Sequence, residues 1–157
     1  MGYTTTFEGR FNITPTLTEE HRKFLTKFSE TRRMARKVGP EYGVEGEWYV
    51  DGAGWAGQDH DKTIIDYNNP PSTQPGLWCQ WIPTEDGDAL VWDEGEKFYY
   101  YVEWLEYLVE NYLKPRGYTI SGEVEWQGED SNDRGLIRVN DNNIKVGKVK
   151  ISYEFED

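Results

Sequence analysis

The sequence predicts one α+β domain over residues 1–157, a mainly antiparallel sheet with two helices packed on one face. Three observations predict it. Residues 3–13 alternate apolar and polar side chains, as a half-buried strand does. Two stretches, 19–38 and 94–113, carry apolar residues at helical spacing, and residues 118–155 return to alternation across turn signals. At 157 residues, without repeat or interdomain linker, the chain has the size of one domain able to bury a core.

In the first strand Tyr3, Thr5, Phe7, Phe11 and Ile13 share one side, and Pro15 ends it. Thr18 then stands as an N-cap, with Glu19 and Glu20 where a helix dipole favours acid. The helix is expected to run to about Val38 and stop at Gly39-Pro40. Its wheel sets Phe24, Phe28, Thr31, Ala35 and Val38 against a face with Arg22, Ser29, Arg33, Arg36 and Lys37. Short strands are expected at 46–50, 77–82 and 89–92, the last two joined by Thr84-Glu85-Asp86-Gly87. Residues 51–76 form a long Gly-, Asn-, Asp- and Pro-rich connection, of a length that is usually functional or mobile.

Asp93 and Glu96 read as a capping pair for the second helix. Phe98, Val102, Leu105, Val109 and Tyr112 form its core face, and Glu103, Glu106 and Glu110 a solvated one. Tyr100, Trp104 and Tyr107 make a third stripe that needs a cover. That cover is the 51–76 segment, a second copy of the chain, or a partner, with any dimer or partner interface centred on Trp104. Beyond it, Ile137 and Val139 pair across Asp141-Asn142 with Ile144 and Val146, and Gly147 reads as a bulge before Val149, Ile151, Tyr153 and Phe155.

Charge is segregated. Residues 1–37 hold eight Lys/Arg against four Asp/Glu, a net +4, while residues 38–157 hold nine against twenty-five, a net −16. Such a surface repels bulk DNA and anionic membranes and leaves one small region able to attract an anion. The expected basic cluster is Arg32, Arg33, Arg36 and Lys37, whose guanidinium forks suit phosphate or carboxylate; the alternative is that these cations neutralise the acidic body from within. The absence of a membrane-length apolar run and of a signal-peptide pattern leads to a cytoplasmic expectation. The single cysteine, Cys79, sits among apolar neighbours and reads as a buried thiol.

The opening MGYTTTFEGRFNI, the segment FSETRRMARK, the segment WCQWIPTEDGDALVWDEGEKFYYYVEWLEYL and the late GEVEWQGEDSNDRGLIRVNDN resemble a family of small uncharacterised proteins carried by phages, prophages and bacteria. The resemblance implies a mobile-element setting, with the cytoplasm of a bacterial host as the location. It favours an accessory binding protein over a metabolic enzyme.

Three functions follow. The first is a small acidic non-enzymatic protein that neutralises a host defence factor by protein–protein binding, anchored on Tyr100, Trp104, Tyr107 and the basic cluster. The second is capture of a small anionic nucleotide by the basic residues with a stacking aromatic. The third is a metal-assisted hydrolase using Glu125, Glu129 and Asp133. No cofactor is implied. His60 with its flanking Asp59 and Asp61 reads as a solvated loop rather than a metal site, and no nucleophile or phosphate-loop motif is present.

Overall fold

A computed structural model describes residues 2–50 and 62–156. Strand β1 (Thr6–Thr14) leads into helix α1 (Glu19–Glu30), strand β2 (Ala35–Arg36), strand β3 (Ile64–Asp66), strand β4 (Trp81–Pro83) and strand β5 (Ala89–Trp92). Helix α2 (Tyr101–Leu108) follows, then β6 (Thr119–Gln127), β7 (Arg134–Asn140) and β8 (Asn143–Lys148). Six strands form one antiparallel sheet in the order β4-β5-β1-β6-β7-β8, and β2 pairs with β3 in a separate two-stranded ribbon. The expected α+β architecture is therefore observed.

Alternation decides which face of the sheet is wet. Phe7, Phe11, Ile13, Ile120, Val124, Trp126, Ile137 and Val139 are buried on the inner face. Glu8, Arg10, Glu123, Glu125 and Arg138 lie on the outer face in solvent. Both helices contribute to the core over the inner face, Leu25 and Phe28 from α1 and Trp104, Leu105 and Leu108 from α2. The aromatic abundance is largely spent here: Phe7 alone meets the rings of Trp81, Trp92, Phe98 and Tyr101 at centroid distances of 4.9–5.6 Å. Gly9 and Gly122 sit on adjacent central strands at φ 122° and 152°. A Cβ at Gly9 would stand 2.2 Å from the Glu123 carbonyl oxygen, and one at Gly122 2.3 Å from that of Arg10, so the two backbones close on each other only because both residues lack a side chain.

Several element boundaries depart from expectation. Helix α1 ends at Glu30 rather than near Val38. Thr31 is extended, at φ −105° and ψ 126°, and Ser29 and Thr31 bond back to the carbonyls of Thr26 and Lys27 at 2.8 Å. Continuing the helix would have stacked Arg32 on Arg36 and Arg33 on Lys37, like charges four residues apart. The chain instead lies between neighbours: Arg33 N donates to Leu77 O at 2.8 Å and Ala35 N to Asn69 O at 3.0 Å.

Helix α2 begins at Tyr101, not Glu94. The supposed cap Asp93 accepts a bond from Gly95 N at 2.7 Å, a local turn, and Gln80 binds both Asp93 N and, through its amide, the Glu96 carbonyl. Residues 46–50 are turns rather than a strand. The strand expected at 77–82 is confined to Trp81–Pro83, β8 stops at Lys148, and Gly147 is in register with Leu136, so no bulge forms there.

Candidate functional site

A groove of about 640 Å³ lies between residues 68–78 and 96–100, with Arg32 in its lining. Its aromatic lining is Trp78, Tyr99 and Tyr100, and its polar lining includes Asn68, Asn69, Gln80 and Lys97. Tyr99 and Tyr100 are 47% and 55% exposed, unusual for rings already beside a folded core.

Three non-glycine residues of the segment that forms one lip, Glu94, Lys97 and Tyr100, occupy the left-handed region at φ 66°, 60° and 60°. That conformation costs energy for side chains of this size, and residues held in it cluster at binding and catalytic sites. What holds the lip is visible. Gln80 secures Asp93 and Glu96, the Trp81 indole donates to Tyr101 O at 2.8 Å, and Tyr99 accepts a bond from Tyr3 N at 3.1 Å. Arg32, also in the groove lining, donates from Nε to Tyr67 O at 3.2 Å and lies over the Tyr67 ring at 4.4 Å. Among the described residues its guanidinium forms no ion pair.

The basic residues expected to act together are separated. Arg32 reaches the groove, Lys37 is exposed, and Arg33 and Arg36 are each only 2% exposed. Arg36 stacks on Tyr49 at 4.2 Å and donates to Thr63 Oγ1 at 2.9 Å. Arg33 stacks on Phe28 at 4.2 Å and donates from Nη2 to Glu47 O at 2.8 Å, while its Nε and Nη1 have no partner among the described residues. Burial pushes its pKa down to about 9. A solvated cationic face on one helix is thus replaced by two interior cations and two surface ones.

The aromatic stripe divides as well. Tyr100 lines the groove, but Trp104 is fully buried and Tyr107 nearly so. Trp104 packs edge-on against Phe28 and Tyr107, with Gly76 close to its indole nitrogen, so the chain's own 74–76 segment supplies the cover. The Tyr107 hydroxyl donates to Glu47 Oε1 at 2.5 Å, and Gln74 Nε2 reaches both that hydroxyl and Glu47 O. Burial and the adjacent Glu47 carboxylate hold the Tyr107 phenol well above its ordinary pKa.

Of the acidic trio, Glu125 lies on the outer face of the sheet. Glu129 accepts from Thr4 N, and Asp133 accepts from Tyr3 Oη at 2.8 Å and Trp126 Nε1 at 2.9 Å. Two of the three therefore fasten the N-terminal segment to the β6–β7 turn, and no group of three His, Cys, Asp or Glu able to hold a metal occurs among the described residues. The segment Asp59-His60-Asp61, with Trp55 and the glycines 52 and 54, lies outside the described residues. Cys79 is fully buried, its thiol pushed up to about 12 by desolvation. No described helix is long and apolar enough to cross a membrane.

The sequence pointed to Arg32 and Tyr100 but missed Trp78, Tyr99, Asn68 and Asn69. The one available signal was composition: the run Tyr67-Asn68-Asn69-Pro70-Pro71 and the triple Tyr99-Tyr100-Tyr101 are dense in residues that make binding surfaces. Comparison of the chain with protein-family models, curated proteins and solved structures finds no match.

Proposed function

We propose that this chain is a small acidic, non-enzymatic binding protein of phage or mobile-element type that neutralises a host factor, and that the groove beside Arg32 is where it grips that partner. The observation that carries the reading is the pair of half-exposed rings, Tyr99 and Tyr100, presented on a strained but well-fastened lip of a groove also lined by Arg32, which forms no ion pair among the described residues. Tyrosine, tryptophan and arginine are the residue types that most often dominate affinity at protein interfaces. A lip already fixed in place loses little freedom on binding, which favours tight association. The acidic remainder of the surface steers partners by charge and repels nucleic acid.

The test is retention of a partner from host lysate by the wild-type protein, followed by binding of that purified partner to Tyr99→Ser, Tyr100→Ser and Arg32→Ala. Loss of about 2 kcal/mol or more at one of these positions is expected for an anchor. A partner bound equally well by all three variants would displace the groove from the reading.

One observation favours a second reading, capture of a small anionic nucleotide. The groove volume lies within the roughly 300–1,000 Å³ range of small-molecule sites, and Arg32 stands near aromatic faces on which a base could stack. Calorimetry against a nucleotide panel, with Arg32→Ala as control, distinguishes the two.

A further inference from the structure

Beyond β8, residues 149–156 belong to no strand of either sheet. Val149 N still donates to Arg134 O at 3.0 Å, but β7 begins at Arg134, so the chain beyond runs past the end of the sheet. Val149, Ile151, Tyr153 and Phe155 are 38%, 59%, 81% and 90% exposed. Alternating apolar residues of this kind are a strand pattern, and beyond Val149 no strand of the described chain is in register with them. No Gly, Pro, Asn or Asp between 148 and 156 could turn the segment back onto β8.

The order of side chains says what the segment fits. Residues 148–156 read Lys-Val-Lys-Ile-Ser-Tyr-Glu-Phe-Glu, with Ser152 at the centre. Two copies laid antiparallel about a two-fold axis at Ser152 place Lys148 opposite Glu156 and Lys150 opposite Glu154, and the symmetry repeats both pairs. On the other face Val149 meets Phe155 and Ile151 meets Tyr153. Shifting the centre to Lys150 sets two lysines face to face. The partner's Phe155 would also lie diagonal to Gly147, beside an open hollow of about 470 Å³ lined in part by Leu136, Gly147 and Val149.

We propose that residues 148–156 are a self-complementary segment through which two copies of this chain pair, forming a two-stranded antiparallel ribbon that continues from the end of each copy's β8. The pairing satisfies the backbone of a segment whose alternating pattern would otherwise offer an unpaired strand, the hazard that such edges present. It does not depend on the groove.

Sedimentation of the full chain tests it. Wild type is expected to dimerise, more weakly as salt rises. Lys148→Glu with Lys150→Glu, and separately Glu154→Lys with Glu156→Lys, turn four attractive cross-strand pairs into repulsive ones and should each weaken self-association about tenfold or more. Mixing the two double variants should restore association, now between unlike chains. All four side chains are exposed, so unchanged urea midpoints for the monomeric variants will separate lost pairing from lost folding. A wild type that stays monomeric at its highest soluble concentration, double variants that associate as wild type does, or a mixture that does not associate would each overturn the proposal.

Discussion

Replacing Arg33 by methionine should leave the protein as stable or make it more stable, although the residue is among the most buried in the chain. The reduction of the guanidinium pKa from 12.5 to about 9 corresponds, at about 1.4 kcal/mol per tenfold, to roughly 5 kcal/mol by which burial disfavours the charged form. Against this stand one hydrogen bond to Glu47 O, worth about 1.5–3 kcal/mol for a charged donor, and the stack on Phe28, worth about 2 kcal/mol when desolvated. The terms nearly cancel. Methionine keeps most of the stem's packing, removes two guanidinium nitrogens that have no partner among the described residues, and leaves Glu47 O bonded to Gln74 Nε2 at 2.6 Å. Arg33→Met should therefore fall between neutral and about 2 kcal/mol stabilising, as other buried ionic groups replaced by apolar ones do. Arg33→Ala should lose about 2–4 kcal/mol to the cavity.

The pH dependence provides an independent check on the same quantity. Below about pH 9 the guanidinium is charged in both folded and unfolded chains, so its unfavourable contribution is constant. Above that pH the folded protein releases the proton before the unfolded chain does, and wild type recovers stability relative to Arg33→Met, by on the order of 1 kcal/mol at pH 10. Urea unfolding at pH 7 and pH 10 measures both effects. A loss above about 2 kcal/mol for Arg33→Met at pH 7, or an unchanged difference at pH 10, would refute the account of an interior cation lacking a charged partner.

Three further outcomes are expected. Cys79 should resist alkylation at pH 8 in the native protein and react only after unfolding, since its thiol is buried and held near 12; thiol titration with and without urea measures this. Trp104→Ala should cost about 3–5 kcal/mol in urea unfolding while leaving the sedimentation behaviour of the folded protein unchanged, because the indole is covered by its own chain. Tyr100→Gly should relieve a left-handed backbone worth about 1 kcal/mol, so its unfolding midpoint should hold or rise while partner binding falls; a lower midpoint would show that the ring's contacts outweigh the strain.

The layout of the sheet was legible where local pattern and tertiary demand agree. The alternation of Phe7, Phe11 and Ile13 and of Ile120, Val124 and Trp126 fixes which face is buried, and Asp141-Asn142, at φ 48° and 69°, is the turn its residue types predict. Legibility failed where a distant neighbour overruled local preference. The Thr31–Lys37 stretch has helical spacing, yet the carbonyls of Asn69 and Leu77 take its N–H groups. Glu94–Tyr100 has helical composition, yet Gln80 and Trp81 draw its backbone away from a helix. Candidate residues were misplaced for the same reason. A wheel drawn through Arg33 and Arg36 assumes a helix that ends before them, and Trp104, though inside α2, is buried by the 74–76 segment, which a wheel does not contain.

The position of β1 bears on how the molecule comes together. It is a central strand, yet its partners β5 and β6 begin 83 and 113 residues after its own first residue. Contacts of such sequence separation are slow to close, whereas the β6–β7 and β7–β8 hairpins need only short loops. The C-terminal three strands are therefore expected to assemble first and offer β6 as a template on which β1 adds. A chain emerging from the ribosome must keep the apolar side of β1, with Phe7 and Phe11 uncovered, from other encounters until nearly the whole of β6 has been made.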